Sequence, residues 1–470
     1  MTRPRAGLLS LYAELYDQQD SHAKDVFTPF IDDVVSGLTG AGLDILRVPV
    51  CIYEQDVRRA VRQCESEGVD GIIVLYLAYH PSLASARVLA GTALPVIMLD
   101  TTVCHSFNET TDPAMIGQCH GIHGVQDLCC VLRRMHKSYF IEAGHYLQSD
   151  VLQRTAGVVK ACQAARCMKN CRVGLIGEPF KDMGDFAIPF PELRQQIGIQ
   201  TIDLKKETVT SYRSFNNGEA IWQQISAFRA TYQVMPDVDI DLLEKAAENQ
   251  QVIARWIADE KLDAFTFNFL SFNGDTGFAT IPFAAATDLM ATGTGYAGEG
   301  DVLTAALCAS LLKMFPDTTF TEMFCPDWAG GRVFMSHMGE ANRRILHEPA
   351  LLRKHVPYVP SLNQGDHPGV AGTLKAGKAV LVNVSPGPEN QYTIILAPCR
   401  IVLPAGEDRF DASIRGWLEP QDMALETFLE NYSLLGGTHH SCLCYDADLK
   451  SLEAFAGLMG WRSTVIAGRG

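Results

Sequence analysis

The eight residues Gly71-Ile-Ile-Val-Leu-Tyr-Leu-Ala78 form an apolar run without polar alternation. A run this short, with paired isoleucines and a valine, reads as a strand covered on both faces. Comparable runs lie on either side, at residues 6–11, 44–50, 95–100 and 138–143. Between them, residues 23–38, 54–67 and 125–135 carry the spacing of amphipathic helices. Strand–helix alternation of this kind builds a parallel sheet with helices on both sides. A second alternation begins with Arg172-Val-Gly-Leu-Ile-Gly177 and continues through strands at 200–204 and 262–269 and a long helix at 239–259. Two helices, 284–291 and 302–314, then flank a glycine-rich segment. From residue 318 short strands (318–324, 333–338, 379–384, 393–396) sit between Gly/Pro turns such as Ser385-Pro-Gly-Pro-Glu-Asn390. The expected class is α/β: two parallel-sheet α/β domains, 1–170 and 171–317, followed by a β-rich C-terminal domain, 318–470.

Composition narrows the partners. A length of 470 residues suits about three domains. A net charge of −15 disfavours non-specific binding to nucleic acid or anionic membranes. No apolar run reaches the ~18 residues of a membrane helix. The N-terminus lacks a signal-peptide cleavage pattern, so a cytoplasmic protein is expected. The 14 cysteines are about 3% of the chain, below the ~8–10% of a disulfide scaffold. Their groupings, Cys129–Cys130, Cys162/Cys167/Cys171 and Cys442/Cys444, do not match zinc-site spacing. Buried reduced thiols are expected.

Five segments could carry chemistry. Gly293-Thr-Gly-Tyr-Ala-Gly298 satisfies GxGxxG, but the residues before it read as helix rather than strand, and no Walker lysine follows. A tight helix–helix turn is expected there, not a nucleotide loop. The same turn delivers Gly298-Glu-Gly-Asp301 to the start of a helix. Asp301 reads as its N-cap; Glu299, between two glycines that permit close backbone approach, is less easily explained that way. In Thr318-Thr-Phe-Thr-Glu-Met-Phe324, Glu322 shares a face with Phe320 and Phe324. A carboxylate so flanked needs a partner or a metal if buried; the plainer reading is an edge strand with Glu322 in water. In the segment 332–338, His337 shares a face with Val333 and Met335, where a lone histidine is ordinarily a core residue. Gly436-Gly-Thr-His-His-Ser441 offers two adjacent imidazoles on opposite faces, of which either could face a site; the plainer reading is a loop with exposed histidines.

Two carboxylates and two imidazoles, without thiolate, suit Mn²⁺, Mg²⁺ or Co²⁺ with two positions open. Two open positions can take vicinal sugar oxygens, and a neighbouring carboxylate can move a proton between C1 and C2. That is aldose–ketose isomerisation through an enediol.

These segments, in this order, resemble the L-arabinose isomerase branch of the L-fucose/L-arabinose isomerase superfamily. The resemblance makes Glu299, Glu322, His337 and His440 the metal ligands, Mn²⁺ first, with Glu299 and Glu322 sharing the acid–base work. It sets His439 beside the substrate, and it extends to Phe269 in Ala264-Phe-Thr-Phe-Asn-Phe269 as a residue against the sugar. His123-Gly-Val-Gln-Asp127 resembles a histidine–glycine segment that reaches into a neighbouring subunit's site. Gln118 and Phe180 complete the expected substrate contacts. The resemblance implies a trimer or hexamer with active sites at subunit interfaces, a monosaccharide as ligand and no nucleic-acid or membrane partner.

Three segments depart from the family pattern: residues 8–20 (LLSLYAELYDQQD), Gly177-Glu-Pro-Phe-Lys-Asp182 where a methionine is usual, and Cys325-Pro-Asp-Trp-Ala-Gly-Gly331. All fall where substrate contacts are expected. L-arabinose to L-ribulose is the first-choice reaction. A fucose-like or D-configured aldose is the close variant, and a non-catalytic sugar-binding regulator on the same scaffold is the reading from another class. A metal-dependent hydrolase ranks last, since neither a Ser/His/Asp set nor a paired-metal histidine cluster is visible.

Overall fold

The five apolar runs of the N-terminal third become five strands of one parallel sheet. In order across the sheet these are Asp44–Arg47, Arg5–Leu11, Gly71–Tyr76, Val96–Asp100 and Tyr139–Ala143. Gly71–Tyr76 lies in the middle with every residue buried, which is why its sequence shows no alternation. Helices Glu54–Ser66 and Ile122–Arg134 lay apolar stripes (Val57, Ala60, Val61 and Cys64; Val125, Leu128 and Leu132) into the core beside it. The computed structural model describes residues 2–215, 218–272, 274–355, 366–404 and 406–468. The chain forms two compact units, 1–163 and 164–470. All 14 cysteines are free thiols, eight of them buried.

The second unit contains two sheets. One is a four-stranded parallel sheet in the order Gly295–Gly298, Ala264–Phe267, Arg172–Ile176, Gln200–Asp203. The long helix Ile240–Glu260 starts at Asp239, whose side chain accepts from Leu242 N at 2.9 Å, and stops where Lys261 turns left-handed. The second sheet has ten strands among the described residues. Six of them, Tyr392–Val402, Gly377–Pro386, His440–Tyr445, Thr318–Asp327, Arg332–Ser336 and Ile414–Pro420, pair antiparallel in that order. The last pairs back onto the first, so the six close into a barrel without a free edge between them. Leu381, Ala397, Leu443, Met335 and Leu418 belong to its core.

Three expectations fail here. The GxGxxG segment is not a helix–helix turn: Gly295–Gly298 is a fully buried edge strand of the parallel sheet. Its glycines are there for clearance. A Cβ on Gly295 would sit 2.4 Å from the backbone N of Ala309, so only glycine lets helix Val302–Met314 pack this closely. That helix is apolar on all sides because it contacts strands of both sheets. Glu322 is not on an edge strand either; Thr318–Asp327 lies between His440–Tyr445 and Arg332–Ser336. The histidine-bearing segment is no exposed loop, since His440 opens a buried strand.

Candidate active site

Glu299 follows the strand Gly295–Gly298 with φ +64°, in the left-handed region. That conformation costs a non-glycine residue roughly 1–2 kcal/mol, so the surroundings must impose it. Phe180 N donates to Glu299 O at 2.8 Å. Gly300 N donates to Thr266 Oγ1 at 3.1 Å, and a Cβ on Gly300 would meet Pro179 Cα at 2.5 Å. A Cβ on Gly298 would lie 2.6 Å from His337 Cε1. The two glycines around Glu299 are therefore what brings strand, imidazole and the 177–180 segment together.

Glu322 and His440 are direct cross-strand partners on neighbouring barrel strands, and such partners project from the same face. The turn before His440 is fixed from below. Tyr432 Oη donates to Thr438 O at 2.7 Å, Asn383 Nδ2 donates to His440 O at 2.7 Å, and Gly437 leaves room for the Tyr432 ring. His337 follows the end of strand Arg332–Ser336, two residues beyond Met335.

These elements bring the four candidate ligands together. Ligand atoms of Glu322, His337 and His440 lie within 4.8 Å of one another, and so do those of Glu299, His439 and His440. Glu299 Oε2 stands 3.5 Å from both His439 Nε2 and His440 Nε2; Glu322 Oε2 is 4.0 Å from His337 Nε2. His337 and His440 are each tied at Nδ1 to a buried carboxylate, Glu340 at 2.7 Å and Asp301 at 2.9 Å. With Nδ1–H donated to the carboxylate, each ring turns the lone pair of Nε2 inward. Tyr296 Oη donates to Glu340 at 2.9 Å and holds that carboxylate in turn. Asp301 serves twice, since Oδ1 caps helix Val302–Met314 at Thr304 N while Oδ2 holds His440.

Glu299 Oε2, His337 Nε2 and His440 Nε2 are buried with no hydrogen-bond partner. Each of these buried polar atoms would be costly to leave bare. A divalent cation would answer them, and a mixed oxygen–nitrogen set fits such an ion. Without it the site is strongly charged. Burial alone would raise the Glu299 carboxyl, but His439, His440 and His337 hold it well below the usual carboxylate range. Burial alone would lower His337, yet Glu340, Glu322 and Glu299 raise it to about 9. His440 is likewise raised by Asp301 and Glu299 against burial.

Of the remaining expected residues, Phe269 and Phe180 pack with ring centroids 5.6 Å apart, and the His439 ring lies tilted beside that of His440, with centroids 4.1 Å apart. Gln118 and His123 belong to the first unit. Gln118 is half-buried in the short helix Ile116–Cys119; His123 is exposed near the start of Ile122–Arg134, edge-on to His120 at 5.9 Å. Sequence reasoning missed Asp185, Phe186, Glu340 and Tyr296, and saw only the capping half of Asp301. Asp185 accepts from His439, and Phe186 lies flat on the His440 ring, 5.2 Å away at 9°.

Residues 195–317 match the family model of the L-arabinose isomerase central domain, and residues 317–462 that of the L-arabinose isomerase C-terminal domain. The L-arabinose isomerase of Bacteroides thetaiotaomicron is 22% identical over 91% of this chain and 87% of its own. That of Geobacillus kaustophilus is 21% identical over 88% and 84%, and that of Shouchella clausii 22% identical over 73% and 70%. A periplasmic solute-binding protein of Actinobacillus succinogenes with bound D-allose covers 66% of this chain and 92% of its own, at 10% identity and a TM-score of only 0.18. The two domain models together span more than half of the sequence, and the chain belongs to the L-arabinose isomerase family.

Proposed function

We propose that this protein is a divalent-metal aldose–ketose isomerase, with L-arabinose to L-ribulose as its first reaction. The observation that supports the reading is a pair of carboxylate–imidazole triads that share His440, Glu299/His439/His440 and Glu322/His337/His440, in which Glu299 Oε2, His337 Nε2 and His440 Nε2 are buried without a hydrogen-bond partner. Glu299, Glu322, His337 and His440 would hold the ion, Mn²⁺ before Mg²⁺ or Co²⁺. The ion would supply Lewis-acid polarisation of the sugar carbonyl and so acidify the adjacent C–H.

The chain's own residues do the rest. In the net reaction the C2 proton moves to C1 and the O2 proton moves to O1. Glu299 and Glu322 share the carbon-bound proton. Glu322, with 23% of its side chain exposed against 10% for Glu299, is the more open to a sugar. Phe180 and Phe269 form an apolar wall, and Phe186 keeps water from the outer side of His440. We read Gln118 and His123 as contacts that complete a neighbouring subunit's site in a cytoplasmic trimer or hexamer. Among the described residues, no helix is long and apolar enough to cross a membrane.

The test incubates chelator-stripped protein with L-arabinose, with and without Mn²⁺, and assays ketose. Ketose that appears only with metal supports the reading. Ketose from another aldose alone keeps the chemistry and moves the substrate, in line with the altered segments at 8–20, 177–182 and 325–331. Tight metal-independent sugar binding without ketose from any aldose would sink it in favour of a binding protein.

A further inference from the structure

We propose that Asp185 is a positioning residue of this site, fixing the His439 ring with Nε2 turned toward Glu299. Asp185 Oδ2 accepts two hydrogen bonds from one residue 254 positions away, the His439 backbone N–H at 2.9 Å and ring Nδ1 at 2.6 Å. The backbone bond fixes where the histidine starts, and the ring bond fixes its rotation. Turning the ring over would put a carbon against Oδ2 and lose the short, charge-assisted contact. The neighbouring residue braces the same pair from the other side, since Phe186 is tilted on His439 at 5.6 Å and stacked on His440. The segment 184–186 therefore grips both imidazoles, one by charge and one by its ring.

The grip matters because of where it is. His337 and His440 are immobilised by burial and by buried carboxylates. About a third of the His439 side chain is exposed, and about a third of Asp185. A ring with a third of its surface open has less packing to hold it than the other two, and Asp185 is the carboxylate that fixes its Nδ1. Nε2 then stands 3.5 Å from Glu299 Oε2, facing the space where substrate oxygens would meet the carboxylate. Orientation of this kind acts on the reacting complex more than on substrate affinity.

The inference rests on the isomerase reading, and its test keeps the two apart. Asp185→Ala, His439→Ala and the double variant would be compared with wild type in kcat and KM for the aldose that is turned over, in Mn²⁺ affinity by calorimetry, and in crystal structures. Asp185→Asn replaces the alanine variant if that fails to fold. Loss of Asp185 should lower kcat by about 10–100-fold, as for other residues that orient a site from behind, with KM and Mn²⁺ affinity little changed. The double variant should be no slower than His439→Ala, because Asp185 acts through that ring. Multiplying effects, or an equal fall in Mn²⁺ affinity, would overturn the assignment. If wild type makes no ketose from any aldose, the isomerase reading fails. The crystal structure of the Asp185 variant then decides alone: a displaced His439 ring sustains the positioning role, and an unmoved one ends it.

Discussion

His80 in the first unit and His337 in the second are both buried to within 2% of complete, yet their imidazoles stand on opposite sides of the ordinary value. His80 follows strand Gly71–Tyr76, and burial pulls it down to about 4, opposed only weakly by the Ile52 backbone and Asp127. His337 suffers the same burial but ends near 9, because Glu340 touches it and Glu322 and Glu299 face it. Removal from water gives a neutral core histidine. A buried carboxylate at Nδ1 and two more opposite Nε2 give a charged cluster that a cation can replace. The neighbours make the site, and burial only raises the stakes.

The contrast is broken most severely by removing the charge opposite His439 and His440. Glu299→Gln should lower turnover by about 10²–10⁴-fold. It should also abolish the gain that Mn²⁺ gives the wild type against denaturant, about 2.7 kcal/mol when the ion is at 100 times its Kd. Turnover and Mn²⁺ stabilisation both surviving in that variant would take Glu299 out of the site.

A smaller change tests the carboxylate behind the ring. Glu340→Gln leaves His337 buried while removing its charged partner, which moves it toward the condition of His80. Mn²⁺ affinity, measured by calorimetry, should fall about 10–100-fold. An unchanged affinity would mean that the His337–Glu340 pair serves the fold alone.

The smallest effect is in the pH dependence of metal-free protein. The folded His337 value lies above the ordinary 6.5, so its contribution is full below about 6.5 and disappears as pH rises through about 9. His80 has the opposite sign: its contribution is present above about 6.5 and disappears as pH falls through about 4. Denaturation in chelator from pH 4 to 9 should show both limbs in wild type and a shallower alkaline limb in Glu340→Gln, where His439 and His440 keep their own carboxylate partners. An alkaline limb identical in both proteins would contradict the assignment of His337.

Strands buried on both faces, such as Gly71–Tyr76, were readable because nothing in them needs to be polar. Gly295–Gly298 was not, because its residues are chosen for clearance against Ala309 and His337, and clearance has no period. The candidate ligands stood in segments the sequence singles out, but their supports mostly did not. Asp185 meets His439 across 254 residues, and Asp301 meets His440 across 139. No local pattern announces such a pair. Glu340 is the exception: it lies three residues after His337 in Ser336-His-Met-Gly-Glu340, close enough for the histidine and its partner to have been read together. The N-cap reading of Asp301 was correct and incomplete, because a carboxylate has two oxygens and the second was already promised elsewhere.

The closed barrel has a consequence for how this chain can change over time. Glu322 and His440 face each other across one ladder, and side chains alternate along every strand. A single-residue insertion or deletion in Thr318–Asp327 ahead of Glu322, or in His440–Tyr445 after His440, would put that residue out of phase with the rest of its strand and swing it toward the barrel interior. With no open edge, the neighbouring strands could not slide to absorb the error. Substitutions can accumulate around the site without disturbing that register, while the count of residues along these two strands is held like the teeth of a meshed gear.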